Sequence, residues 1–320
     1  MSQLTADLLL ILVTVVWGTS FVMVKETISL MGPLTYIAVR FLVAALVLAG
    51  WYFLRERRGA VPRSDPPTGS DSESAGPPPA EGRVRPGAGI SREFLIGGLL
   101  TGFALFASYV TQTLGLVTVG AGKAAFITGM YVVIVPIASQ VMLRAAPDRA
   151  SIIGVALATV GLGLMSLKLP LEIAPGDFLV FLCAIGFAAH ILLLGRYSGT
   201  GSSVLLTTIQ LAVVSVGAFL WAAVTERPLR IPTESWGAIL FTAVASTSFA
   251  FLAQTAAQRY TSATHTALIF SAEAVFGAFF AWLWAGEVLS AREIAGALFI
   301  LGGMLVSELP VRRQAPQETP

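Results

Sequence analysis

Apolar residues in this chain fall in long continuous blocks. They do not sit on one stripe per helix, nor on alternate positions. A helix needs about 20 mostly apolar residues to cross the hydrocarbon core. Segments near that length occur at residues 6–24, 33–54, 94–118, 122–143, 150–168, 177–195, 203–224, 235–257, 263–285 and 292–309. A membrane barrel would show alternation over about ten residues per strand instead. The pattern predicts an all-α polytopic membrane protein with ten transmembrane helices, numbered here as segments 1 to 10.

The connections are short except one. Residues 55–92 hold seven prolines, including Pro77, Pro78 and Pro79, with many Gly, Ser and Arg. Such a stretch cannot bury enough apolar surface to offset its ordering entropy. It reads as a disordered cytoplasmic loop, and a linker or a regulatory element would both fit. The start, MSQLTADLLLILVTVVWG, has no Lys or Arg before its apolar run and no small-x-small cleavage pattern. It therefore reads as a retained first helix, not a removed signal peptide.

The second half of the chain repeats part of the first. A shift of 142 residues lays 111–166 on 253–308 without a gap. Gln112 and Thr113 fall on Gln254 and Thr255, Ile127 on Ile269, Gly154 on Gly296 and Gly161 on Gly303. The repeat joins segments 3–5 to segments 8–10, so each half holds five helices. Five is odd, so the second half enters the membrane from the opposite side. Inverted repeats of this kind are shared by many secondary transporters. The halves are expected at 1–54 with 93–168 and at 169–309, followed by a cytoplasmic tail at 310–320.

Composition narrows the class further. Of 320 residues, 55% are hydrophobic and 12% charged, and the net charge is +2. A soluble domain carries about 25% charged residues, so an ordinary cytosolic enzyme is excluded. So is a disordered protein, and so is a nucleic-acid binder, which would show a basic footprint. One cysteine, Cys183, allows no internal disulfide, and two separated histidines, His190 and His265, suggest no metal site. No Gly-Lys-Ser/Thr phosphate loop and no His-Glu-x-x-His run is present. No cofactor is expected.

Lys and Arg in the loops set orientation. The side holding both termini and the long loop carries thirteen, and the other side six. Seven of the thirteen lie in that one loop. Both termini are predicted cytoplasmic.

Several stretches resemble the EamA family of the drug/metabolite transporter superfamily. Trp17-Gly18-Thr19-Ser20-Phe21-Val22 is similar to a run in the family's first helix, and Ala38-Val39-Arg40-Phe41-Leu42 to one in its second. Ala124 through Pro136 resembles the fourth helix. Ser271-Ala272-Glu273-Ala274-Val275-Phe276, then Gly286-Glu287, resembles the ninth. The family carries proline where this chain has Ala274, so a proline kink has no cause at that position. The resemblance implies two five-helix halves around a central cavity that moves small metabolites. Amino acids and related amines or carboxylates are frequent substrates, and export is common.

Ionisable groups at bilayer depth are functional candidates by default. Glu273 lies about eleven residues into segment 9 and has three readings. It exchanges a proton, pairs with a cationic substrate, or joins helices through hydrogen bonds. Tyr131, its repeat partner, suits a cavity wall or helix packing. Arg40 could hold a substrate carboxylate bidentately, snorkel, or brace another helix through backbone carbonyls. The bracing role is favoured, because the Arg-Phe pair resembles a general family feature. Gln112 and Gln254 are equivalent positions that either line a cavity or pair helices. Trp17 could form an apolar cavity wall or simply pack. Lys123 and His265 correspond at the starts of segments 4 and 9, as gates or as snorkelling groups. Glu287 reads as a capping carboxylate for segment 10. Gly98, Gly102, Gly154, Gly161, Gly296 and Gly303, with Ala158, read as close-packing positions.

The resulting expectation is a secondary transporter in a bacterial plasma membrane. It moves a small metabolite by alternating access, with export the favoured direction and with proton coupling through Glu273 or facilitated diffusion as the alternatives. Its partners are the solute and the lipid bilayer, not nucleic acid, and it is a monomer or homodimer. The rivals are a membrane-embedded enzyme on a lipid-linked substrate and a non-transporting sensor.

Overall fold

The computed structural model describes residues 1–57, 91–142, 147–167, 175–285 and 289–307. Residues 58–90 of the long loop, the Gly286-Glu287 pair and the 310–320 tail lie outside the described residues. Every element within them is helical: α1 Gln3–Leu30, α2 Pro33–Arg57, α3 Arg92–Leu116, α4 Ala121–Gly129, α5 Tyr131–Met142, α6 Arg149–Ser166, α7 Gly176–Tyr197, α8 Ser203–Thr225, α9 Trp236–Ala243, α10 Ala250–Ala257, α11 Ala263–Phe270, α12 Glu273–Ala285 and α13 Ala291–Ser307. A π-helical turn, Val244–Phe249, joins α9 to α10. Among the described residues nine helical spans are long and apolar enough to cross a membrane. The last helix, α13, has 17 residues.

Local chemistry sets the boundaries. Ser2, Ser91, Asp148, Ser202 and Ser262 each accept a hydrogen bond from the backbone N–H three residues on. These caps satisfy donors that a helix start leaves open. The first helix continues six residues past its expected end at 24. Lys25 and Glu26 are exposed there, while Thr27 turns inward and donates to the Met23 carbonyl.

Polarity is arranged for lipid. Leu4, Leu8 and Leu12 of α1, and Val216, Phe219, Leu220 and Val224 of α8, are exposed. Buried Thr101, Ser108 and Thr207 return their hydroxyls to the carbonyl four residues back. No water competes in the bilayer core, so such groups must find partners inside the protein.

The pairs α3–α7 and α6–α13 pack antiparallel, while α3 runs parallel to α8. Gly115, near the end of α3, meets Gly176 at the start of α7, and Gly97, near the start of α3, meets Tyr197 at the end of α7. α6 crosses α13 through four glycines. A Cβ on Gly154 would lie 2.6 Å from the Gly303 carbonyl oxygen, and one on Gly161 2.5 Å from that of Gly296. The converse contacts, Gly296 to Gly161 O and Gly303 to Gly154 O, are both 2.6 Å. Gly98 and Gly102 of α3 admit Ile209 and Val213 of α8 in the same way.

Glu226 ties α8 to α2. Its carboxylate accepts from Leu34 N at 2.9 Å, Thr35 N at 2.8 Å and Thr35 Oγ1 at 2.8 Å. Three donors at a helix start share one anion, and hydrogen bonds to charged groups are worth about 1.5–3 kcal/mol each. Glu226→Ala is expected to lower the melting temperature in detergent by roughly 5 °C. A change within error of zero would show that the cap contributes nothing.

Candidate functional site

Two membrane helices are broken at matching positions. α4 ends at Gly129 and α5 begins at Tyr131; α11 ends at Phe270 and α12 begins at Glu273. The second break forms without proline. Ser271 N–H bonds to both Ala267 O and Leu268 O, Ala272 N–H bonds to Ile269 O, and Ser271 Oγ donates to Leu268 O. This tightening to a three-residue repeat interrupts the α-helix where the sequence offered no kink. Tyr131 and Glu273 therefore stand at the first positions of two half-helices. Glu273 gains from the partial positive charge of the α12 N-terminus.

A third irregularity lies opposite. In the π-turn, Thr247 Oγ1 donates to Thr242 O and Ser248 Oγ to Ala243 O, both five residues back. Trp17 Nε1 donates to the Ser246 carbonyl at 2.8 Å. Arg40 Nε donates to Thr247 Oγ1 at 2.7 Å. The Ser246-Thr247-Ser248 run within an apolar segment was the available signal for this feature.

These elements surround one cavity. Its volume is about 70 Å³, which is room for a few waters or one small solute. Trp17, Arg40, Gln112, Tyr131, Gln254 and Glu273 all line it. Tyr36, Tyr109, Phe187, His190 and Phe251 line it too, and sequence reasoning did not select them for a cavity. Tyr109 builds an aromatic wall with Phe41 at 4.8 Å and Phe187 at 5.5 Å between ring centroids. Trp17 sits edge-on to Phe270 at 4.9 Å. His190 is buried and bonds Gln210 Oε1 through Nε2 at 2.8 Å.

Two ionisable side chains of opposite type, Arg40 and Glu273, face this cavity. Arg40 is 4% exposed. Its guanidinium lies 5.5 Å from the Tyr109 ring, 5.7 Å from Phe41 and 5.9 Å from Tyr36. NH1 also reaches Tyr36 OH at 3.5 Å. Aromatic faces attract a cation, yet no carboxylate pairs with Arg40 among the described residues. Glu273 makes no hydrogen bond or ion pair with any described side chain. Arg40 thus braces the π-turn through Nε, to a hydroxyl and not to a backbone carbonyl, while guanidinium donors remain.

Gln112 and Gln254 share the cavity but not their partners. Gln112 Nε2 donates to Thr128 Oγ1 at 3.4 Å. Gln254 Nε2 donates to Gln258 Oε1 at 2.9 Å, and Gln258 Nε2 to Ile191 O at 3.0 Å. That chain links α10 to α7. Lys123 and His265 stand away from the cavity lining. Lys123 pairs with Asp177, and His265 with Asp7.

An all-helical bundle with lipid-facing exterior, broken helices and a central, largely aromatic cavity holding a few polar side chains defines the molecule as a polytopic membrane protein of transporter type. The profile of the EamA-like transporter family matches residues 4–167 and 174–308, and the chain belongs to that family. It is similar to an uncharacterized transporter of Archaeoglobus fulgidus, 29% identical over 313 residues, covering 97% of this chain and 87% of that protein. A solved structure titled only as a crystal structure of a protein shares the fold. Its TM-score is 0.73 at 14% identity, covering 95% of this chain and 96% of the other. Family and relative together make this a membrane transporter, with a small-molecule substrate and the bilayer as its surroundings.

Proposed function

We propose that the chain is a ten-span secondary transporter that exports a small zwitterion, an amino acid or a close relative, from a bacterial cytoplasm. Arg40 holds the carboxylate and Glu273 the ammonium group. The observation that carries this reading is that a guanidinium and a carboxyl group line one small cavity and neither makes an ion pair with a described residue. A buried unpaired charge is costly, and a ligand bearing both groups removes both penalties. The cavity's size favours a short molecule.

Glu273 joins no described side chain, which supports the two transport readings over helix joining. When the solute leaves, the carboxylate loses its cation, and a proton replaces it. The next substrate, binding from the cytoplasm, displaces that proton into the cytoplasm. Export is thereby exchanged for inward proton movement, with one half rocking against the other. The two profile matches and the paired helix breaks support the inverted five-helix halves. The arginine-rich loop supports cytoplasmic termini in a plasma membrane.

The test uses proteoliposomes with an imposed proton gradient. A panel of labelled amino acids is compared with the matching amines and the matching carboxylic acids. At least one amino acid should be carried about tenfold faster than either analogue, the ratio expected for losing one of two charged contacts. Equal transport of an amine or an acid would rule out the two-charge site.

A further inference from the structure

The ion pairs away from the cavity are arranged as a matched set. Lys123 Nζ lies 2.5 Å from Asp177 Oδ2, and His265 Nε2 lies 3.3 Å from Asp7 Oδ1. Lys123 and His265 correspond through the 142-residue shift. Asp7 and Asp177 correspond through a shift of 170, the one that separates residues 4 and 174, where the two family matches begin. In each pair an aspartate near the start of a long helix meets a basic side chain near the start of a broken one.

The pairs sit at opposite ends of the bundle. Asp177 is the second residue of α7. The end of α7 leads through Ser198–Thr200 directly into α8. The first turns of α8 touch α10, where Thr207 Oγ1 donates to Thr255 Oγ1. α10 then leads in five residues to the start of α11. His265 is therefore at the far end of α7 from Asp177. Twenty-two residues at 1.5 Å each separate the two levels by roughly 33 Å. The cavity lies between them.

Each pair also joins elements from different halves. Asp7 belongs to the first half and His265 to the second. Lys123 belongs to the first and Asp177 to the second. Rocking one half against the other would pull the pair at one end apart while leaving the other closed. We infer that Lys123–Asp177 and Asp7–His265 are two ionic latches, each holding one mouth of the cavity shut, of which one opens in each half of the transport cycle. The inference rests on the alternating-access reading above, and both mouths are latched in the state described here.

The latches can be tested without a substrate. Cys183→Ala removes the one native thiol, and Ser20→Cys places a reporter on the cavity wall. A membrane-impermeant thiol reagent is applied from either side of the membrane. Lys123→Glu is expected to speed labelling from the Asp177 end about fivefold, the effect of losing roughly 1 kcal/mol from the closed state. The swap Lys123→Glu/Asp177→Lys should return it to the starting rate. Asp7→Asn should speed labelling from the opposite end alone. If Lys123→Glu fails to fold, Lys123→Gln takes its place, with a smaller rise expected. Unchanged labelling in the single variants would overturn the latches, as would a rise that the swap does not reverse. Failure here would leave the charge-pair site standing, and failure of the zwitterion test would leave the latches standing.

Discussion

Glu273→Gln is expected to cut transport by roughly 30-fold or more at unchanged membrane abundance, and to flatten what pH dependence remains. The substitution keeps the side chain's size, so packing at the start of α12 is preserved. It removes the charge. Losing one member of a buried charged contact costs about 2–5 kcal/mol, and 2 kcal/mol is already about 30-fold in binding. A glutamine does not ionise, so the step that couples solute to protons disappears with the carboxyl group. Rates measured in proteoliposomes across a range of pH read both effects at once. A variant with wild-type rate and wild-type pH profile would remove Glu273 from the cycle. A slow variant with an intact pH profile would keep the binding role and dismiss the proton role.

The second large effect is structural. Gly161→Leu should destabilise the protein by roughly 3 kcal/mol or more, which corresponds to a fall of roughly 10 °C in melting temperature. A Cβ at Gly161 would lie 2.5 Å from the Gly296 carbonyl oxygen and 2.9 Å from Ile300 N. Those neighbours are backbone and cannot rotate away. α6 and α13 would have to separate, and no hydrophobic force drives them together in lipid. Gly302 supplies the control on the same crossing: a Cβ there meets nothing within 4 Å. Gly302→Leu should fold and melt like wild type. Equal behaviour of the two leucine variants would show that the four-glycine contact does not hold the pair.

The helices were legible because lipid demands long apolar runs, and the expected boundaries fell mostly within a few residues of those observed. The glycines were legible for a related reason. Small residues spaced along apolar helices have little purpose other than close approach, and Gly154, Gly161, Gly296 and Gly303 meet as backbone against backbone. Polar residues at bilayer depth also stood out, and six of them line one cavity. What the sequence hid depends on three-dimensional meeting. Tyr109 and Phe187 look like ordinary apolar filling until α3 and α7 bring them together. His190, which its sequence position marked only as remote from the other histidine, bonds Gln210 and lines the cavity. The break before Glu273 was hidden because Ala274 carries no signal, and the interruption comes from hydrogen-bond spacing alone. Asp7 and Asp177 were missed as partners because the aligned repeat began after both of them. The long loop shifts that correspondence from 142 to 170 residues.

A solute bearing both charges is expected to cross through the cavity shared by Arg40 and Glu273. The most direct measurement is untargeted metabolite analysis of cells and medium. Cells expressing wild type, Glu273→Gln and Arg40→Gln are compared at matched membrane abundance. A zwitterionic solute should accumulate in the medium for wild type and for neither variant. The same solute leaving equally well from wild type and Glu273→Gln cells would contradict this expectation. So would a wild-type solute that lacks either the carboxylate or the amine.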